Sequence, residues 1–283
     1  MTALGLAPVV RAPGRTPTRL GLFGSETAKG LRLAWHRKGT VVVGIVLNTL
    51  TYLGISLFIG GGHIVEELMV LTLPALLAVT IAETAAVNGS GGIAEEINGG
   101  TLEQTRLSPA PAYLQALGRM AALAVEGLLA AGALAVVFTT WFDLDYDWST
   151  AALLPAALTA GLTVLNAVAY GLLMVGLTLR VASIGAITHV FNMAIMFFGG
   201  MLVPVTVFPD GIETLSHLIP TALGVQALNT TMSSTGSSGL DAAWADGTLP
   251  WLLVHTSVLI VIGLATYHAA MRRALREGGL SPR

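Results

Sequence analysis

The chain has 283 residues, 54% of them hydrophobic and only 11% charged, with a mean hydropathy of +0.75. Soluble domains carry roughly 25% charged residues, so this composition describes a membrane protein. The sequence has no cysteine, which excludes disulfides, thiol nucleophiles and thiolate metal sites. Its 33 glycines and many alanines suit close helix–helix approach in lipid.

Residues 1–19 hold Pro8, Pro13 and Pro17 with Arg11 and Arg15, and lack an apolar run long enough for a signal peptide. They read as a disordered basic tail. Residues 20–38 read as an amphipathic interface helix. Leu20, Phe23, Thr27, Leu31, Ala34 and Trp35 follow helical spacing on one side, and Glu26, Lys29, Arg32, His36 and Arg37 fall on the other. Phe23, Lys29, Arg32 and Trp35 are its candidate contact residues.

Residues 39–271 then read as a six-span, all-α transmembrane domain. The predicted spans are 40–60, 68–87, 117–140, 151–179, 183–205 and 249–271, each near the ~20 apolar residues a crossing needs. Pro74 and Pro155 fall near predicted span ends, where a missing backbone donor is tolerated. All 14 Lys and Arg residues fall on one side of this arrangement. Glu66, Glu67, Asp143, Asp145, Asp147, Asp210, Glu213, Asp241 and Asp246 fall on the other. The positive-inside rule makes both termini cytoplasmic, with 272–283 a basic cytoplasmic tail. Trp141, Tyr146, Trp148 and Trp251 occupy expected aromatic-belt positions at outer span ends.

Two regions depart from a plain bundle. In the outer region 204–233, the apolar pieces 212–219 and 222–228 are too short to span and are broken by Pro209, Gly211 and Pro220. They read as re-entrant or interfacial helices between spans five and six, with 233–239 as a flexible linker. The second region is the loop 88–116. There Asn98-Gly99-Gly100 should end the helix of span two, Thr101 can cap a new helix with Glu103 at its positive end, and Pro109 and Pro111 stop it. A short rigid helix held between two spans can transmit a push.

Chemistry of its own is sparse. There is no Walker-type glycine loop, and the six histidines show no metal-ligand spacing. Ser90 has no strand before it and makes no nucleophile elbow. Catalysis by this chain alone is therefore not supported, and no cofactor of its own is expected. Glu83, Glu126, His189 and Asn192 lie inside spans, where polar groups are costly and meet a partner or a water-filled path. Two readings stay open for them. Glu126, His189 and Asn192 are the candidate substrate-path residues, or they satisfy one another and their neighbours as structural hydrogen bonds.

The string GGTLEQTRLSP, preceded by Glu95-Glu96, resembles the E-x-E-x-G-T-L-E-x-x-x-x-x-P signature of type 2 ATP-binding-cassette (ABC) transporter permeases, among them the daunorubicin-exporter-like drug and lipid exporters. Gly200-Met201-Leu202-Val203-Pro204, with Phe208-Pro209 and Ile219-Pro220 after it, resembles the re-entrant segment of that family. The chain departs from it at Ile97-Asn98-Gly99, where many members carry a charge. The resemblance implies a permease subunit in the plasma membrane of a bacterium, paired with a second permease copy or a related chain. Two ABC ATPase subunits holding ATP and Mg would dock beneath them. Glu95, Glu96, Gly100, Thr101, Leu102, Glu103 and Gln104 would couple to those ATPases, together with the interface helix. A hydrophobic drug or lipid-like substrate would pass between the permeases, since the polysaccharide-exporting branch usually carries a tyrosine-rich, basic interface segment. Membrane lipids are expected partners and nucleic acid is not. The alternative is an ion-gradient-driven carrier using Glu83 or Glu126. Against it, such carriers commonly show broken helices in both halves, and only one broken region is visible here.

Overall fold

The computed structural model describes residues 18–100, 111–144, 146, 149–181, 184–233 and 238–276. Its described residues are helical with short connections, and no strand occurs among them. The chain is an all-α membrane protein.

Helix α1 (Arg19–His36) is capped by Thr18, whose hydroxyl accepts from the Gly21 N–H at 3.2 Å. Arg37 interrupts the helix, and α2 (Lys38–Ile59) begins immediately as the first long apolar helix. It is the most peripheral one, with Val42, Val43, Val46, Leu47 and Leu50 at least half exposed. Only Tyr52 and Ser56 are buried along it. The Tyr52 ring meets Phe138 edge-on at 5.0 Å, and its hydroxyl lies 2.6 Å from Thr72 Oγ1.

Helix α3 (Glu66–Asn98) is a single 33-residue rod with a π-helical turn at Thr84–Asn88. It continues about three turns past its predicted apolar end, then stops where Asn98-Gly99-Gly100 predicts, with Gly100 at φ +66°. Pro74 is not near an end of this helix. The helix starts at Glu66, so Pro74 sits buried in its interior. Proline there removes the N–H that would bond the carbonyl of Val70. The fold supplies replacements: Tyr146 donates its hydroxyl to Val70 O at 3.1 Å, and Asn229 Nδ2 donates to the neighbouring Leu71 O at 2.9 Å. Burial, reinforced by Tyr52, pushes the Tyr146 hydroxyl above the ordinary tyrosine range, which keeps it a donor.

Helices α4 (Ala112–Trp141) and α5 (Thr150–Thr178) match the third and fourth predicted spans. The close packing of α3 on α5 depends on missing side chains. A Cβ at Gly171 would overlap Ala85, so the backbones approach as small residues allow.

The fifth predicted span is shorter than expected. Helix α6 (Ile184–Phe198) has 15 residues, about 22 Å against a hydrocarbon core of about 30 Å. Gly199-Gly200 ends it, with Gly200 at φ +91°, and the chain turns back. Among the described residues, five other helices are long and apolar enough to cross a membrane. After α6 come a 3₁₀ turn (Val205–Val207), α7 (Asp210–Ser216) and α8 (Ala222–Ser233), close to the predicted pieces. The expected linker is partly helical, because Ser238 and Gly239 belong to α9 (Ser238–Ala245), while 234–237 lie outside the described residues. Helix α10 (Thr248–Arg276) overruns its predicted end, so the expected tail begins as helix.

Three buried clusters hold these helices together. The largest includes Tyr52, Leu76, Phe138, Tyr170 and Ile195. A second, around Ile93, Met120, Val175 and Tyr267, lies at the α1 end of the bundle. A third, around Leu223, Ala243 and Leu252, seats α8 and α9 on α10.

Candidate functional site

The end of α3 is tied down by charge. Glu96 Oε1 accepts from Arg119 Nη2 at 2.7 Å, and Lys29 Nζ lies 3.7 Å from the same oxygen. One carboxylate thereby joins α1, the end of α3 and the start of α4. The Arg119 contact is short, between side chains only 20% and 13% exposed, whereas Lys29 is 47% exposed and longer. Packing reinforces the junction. Gly30 of α1 abuts Ala122 of α4, and Gly118 abuts Glu26, Phe23 and Thr27. Helix α1 therefore turns Phe23, Thr27 and Gly30 toward protein, leaving Leu20 and Trp35 exposed. Arg32 is exposed and Lys38 sits over the Trp35 ring at 5.1 Å.

Of the expected coupling residues, Glu95, Glu96 and Gly100 are placed at the end of α3. Thr101, Leu102, Glu103 and Gln104 lie outside the described residues. Arg119 entered the sequence reading only through its charge. Its pairing with Glu96 spans 23 positions and leaves no local trace.

Inside the bundle a groove of 220 Å³ runs between α2 and the α3–α4 pair, lined by Asn48, Thr80, Glu83, Thr84, Asn88 and Glu126 among others. Glu126 is only 5% exposed and accepts from Asn88 Nδ2 at 2.8 Å. Glu83 shares this groove with Asn48, whose Nδ2 lies 3.5 Å from Thr80 Oγ1. The π turn lies between Glu83 and Gly89 and brings both Glu83 and Asn88 to this groove. Such turns recur at functional sites.

The three path candidates do not converge. Glu126 lines the groove, His189 is exposed on α6, and Asn192 is buried, accepting from Tyr170 at 3.1 Å. No hydrogen bond or ion pair among the described residues joins His189 or Asn192 to Glu126. Asn48, Asn88 and Thr80 were missed, although isolated amides in apolar runs are a signal that could have found them. A larger cavity of 760 Å³ lies beside the Glu96 junction, between α1, α3 and α4, and shares Asn88 with the groove. No group of three residues suited to a metal ion occurs among the described residues.

A family model spans this bundle from α1 to α8, the end of α3 and its ion-paired base included. That model, for the ABC-2 type transporter, matches residues 22–232. The chain belongs to the ABC-2 type transporter family. It is thus the multi-pass transmembrane permease component of an ABC-type transporter, a transport subunit. The ABC-2 match runs from α1 through α8 and covers the Glu96 junction, both cavities and the π turn. A comparison with curated proteins gave no match.

Proposed function

We propose that this ABC-2 permease is half of the membrane pathway of a daunorubicin-exporter-like transporter for a hydrophobic drug or lipid-like substrate. A second copy or a related chain supplies the other half, and two separate ATPase subunits carry ATP and Mg. The observation that carries this reading is the Glu96 junction. It makes α1, the end of α3 and the start of α4 one unit at the base of the loop 88–116, so a force on that loop reaches three helices together. Glu95, Glu96, Gly100, Thr101, Leu102, Glu103 and Gln104 are the proposed contact set, with Phe23, Lys29, Arg32 and Trp35 on the interface helix. With the short α6 counted as a sixth crossing, the one-sided Lys/Arg distribution supports a cytoplasmic location for this face and both termini, in a bacterial plasma membrane. The same reading keeps as proposals the domain limits tail 1–19, interface helix 20–38, spans in 39–271, re-entrant region 204–233 and tail 272–283, the last of which begins as the end of α10.

Glu126 remains the proposed path residue, because it alone of the three candidates lines the groove. The gradient-driven carrier loses its footing, since an ABC-2 permease belongs to an ATP-powered system. The test is reconstitution of the chain with its ATPase in proteoliposomes. Charge reversal at Glu96 or Glu103 is expected to abolish transport while the complex still hydrolyses ATP and the chain still folds. Normal substrate-stimulated hydrolysis together with normal transport in both variants would defeat the reading.

A further inference from the structure

The 760 Å³ cavity between α1, α3 and α4 is lined in part by residues that the coupling reading leaves unused, Glu26, Leu33 and Arg37 among them. Its volume falls in the ~300–1,000 Å³ range of small-molecule sites. It lies at headgroup level, because Arg37 stands at the break between amphipathic α1 and apolar α2, beside exposed Trp35 with Lys38 over its ring. Leu33, Ala122 and Leu123 supply an apolar wall. The charges are mixed and arranged in pairs. Glu96 is engaged by Arg119 at 2.7 Å and only loosely by Lys29 at 3.7 Å, so the half-exposed Lys29 and Arg37, which also feels the Glu126 carboxylate, are the cations of the lining, with Glu26 and Glu95 as its further anions. Arg37 Nε is shielded from solvent and has no hydrogen-bond partner among the described residues. A shielded guanidinium N–H without an acceptor is costly, and a phosphate oxygen is the acceptor its planar fork suits best.

We propose that this cavity seats one zwitterionic phospholipid of the leaflet nearest α1. The phosphate sits on Arg37 and Lys29, and the amine faces Glu26 and Glu95. A purely anionic headgroup would leave both carboxylates facing negative charge, and an uncharged lipid would leave the Arg37 Nε–H without an acceptor. The lipid would brace α1 against α4 beside the Glu96 junction, sharing Lys29 with it and leaving the short Glu96–Arg119 pair intact.

The test is native mass spectrometry of the delipidated full-length chain. It is titrated with short-chain phosphatidylethanolamine, phosphatidylglycerol, diacylglycerol or inorganic phosphate. One saturable phosphatidylethanolamine per chain is expected, bound more tightly than phosphatidylglycerol, with diacylglycerol and millimolar phosphate failing to displace it. Arg37→Gln should weaken binding by about tenfold or more, the worth of one charge-assisted hydrogen bond. Arg37→Lys should restore part of it. Arg19→Gln, at the far exposed end of α1, should change nothing. Gly92→Leu keeps every charge and places a side chain in the cavity, so it should block binding even if Arg37→Gln fails to fold. Displacement by inorganic phosphate, or equal binding of phosphatidylglycerol, would overturn the zwitterionic lipid. Binding unchanged in Arg37→Gln or in Gly92→Leu would overturn the site.

Discussion

The backbone N–H of Thr221 donates to Asn166 Oδ1 at 3.0 Å. Thr221 is the one described non-glycine residue with positive φ, at +79°, a conformation that β-branched residues rarely adopt. The other end of the same amide donates to Thr256 Oγ1 at 2.9 Å and lies 3.0 Å from His255 Nδ1. Asn166 is fully buried and ties α5, α10 and the turn entering α8 together. Asn166→Ala should cost about 2–3 kcal/mol, since it strands a buried backbone donor and a hydroxyl at once. Chemical unfolding in mixed micelles measures this, and a loss well under 1 kcal/mol would show that the turn holds without its amide.

The Glu96 junction predicts unequal partners. Arg119→Gln should lower stability by about 1–2 kcal/mol, as expected for a short, partly shielded charge-assisted bond. Lys29→Gln should cost no more than about 0.5 kcal/mol, as expected for a long, exposed pair. A double-mutant cycle with Glu96→Gln separates the two terms, and equal coupling for both cations would contradict the geometry.

Tyr146 and Pro74 should be energetically coupled. Tyr146→Phe removes the donor that satisfies Val70 O and should cost about 1 kcal/mol. In a Pro74→Ala background the helix recovers its own donor for that carbonyl, so the same substitution should cost clearly less. Thermal unfolding of the four proteins checks this, and additive losses would show that the hydroxyl and the proline are independent.

Two glycines should respond in opposite ways. Gly171→Val forces a side chain into Ala85 across the α3–α5 contact and should destabilise by about 1–3 kcal/mol or more. Gly132→Ala meets nothing within 4 Å and should be neutral or stabilising by up to about 1 kcal/mol, because alanine favours helix. Melting temperatures in one detergent decide the matter.

Composition and local pattern determined much of this protein. The helical membrane class, the positions of most long helices, the stop at Asn98-Gly99-Gly100 and the broken region after Pro204 all follow from properties of neighbouring residues. The string GGTLEQTRLSP pointed to the family for the same reason, since its information is contiguous. What only the tertiary structure decided are matters between distant positions. Pro74 could sit inside α3 because Tyr146, 76 positions away from the Val70 carbonyl it serves, replaces the lost donor. Asn166 could be buried because the turn at Thr221 and the face of α10 meet it. Ser238 and Gly239 became helical where α9 found a seat on α8 and α10. Glu126 on α4 was separated from His189 and Asn192 on α6 by the packing of those helices, and of the two on α6 only Asn192 is buried, against Tyr170. A helix announces itself through its own sequence, but the partner of a buried polar group is chosen by packing.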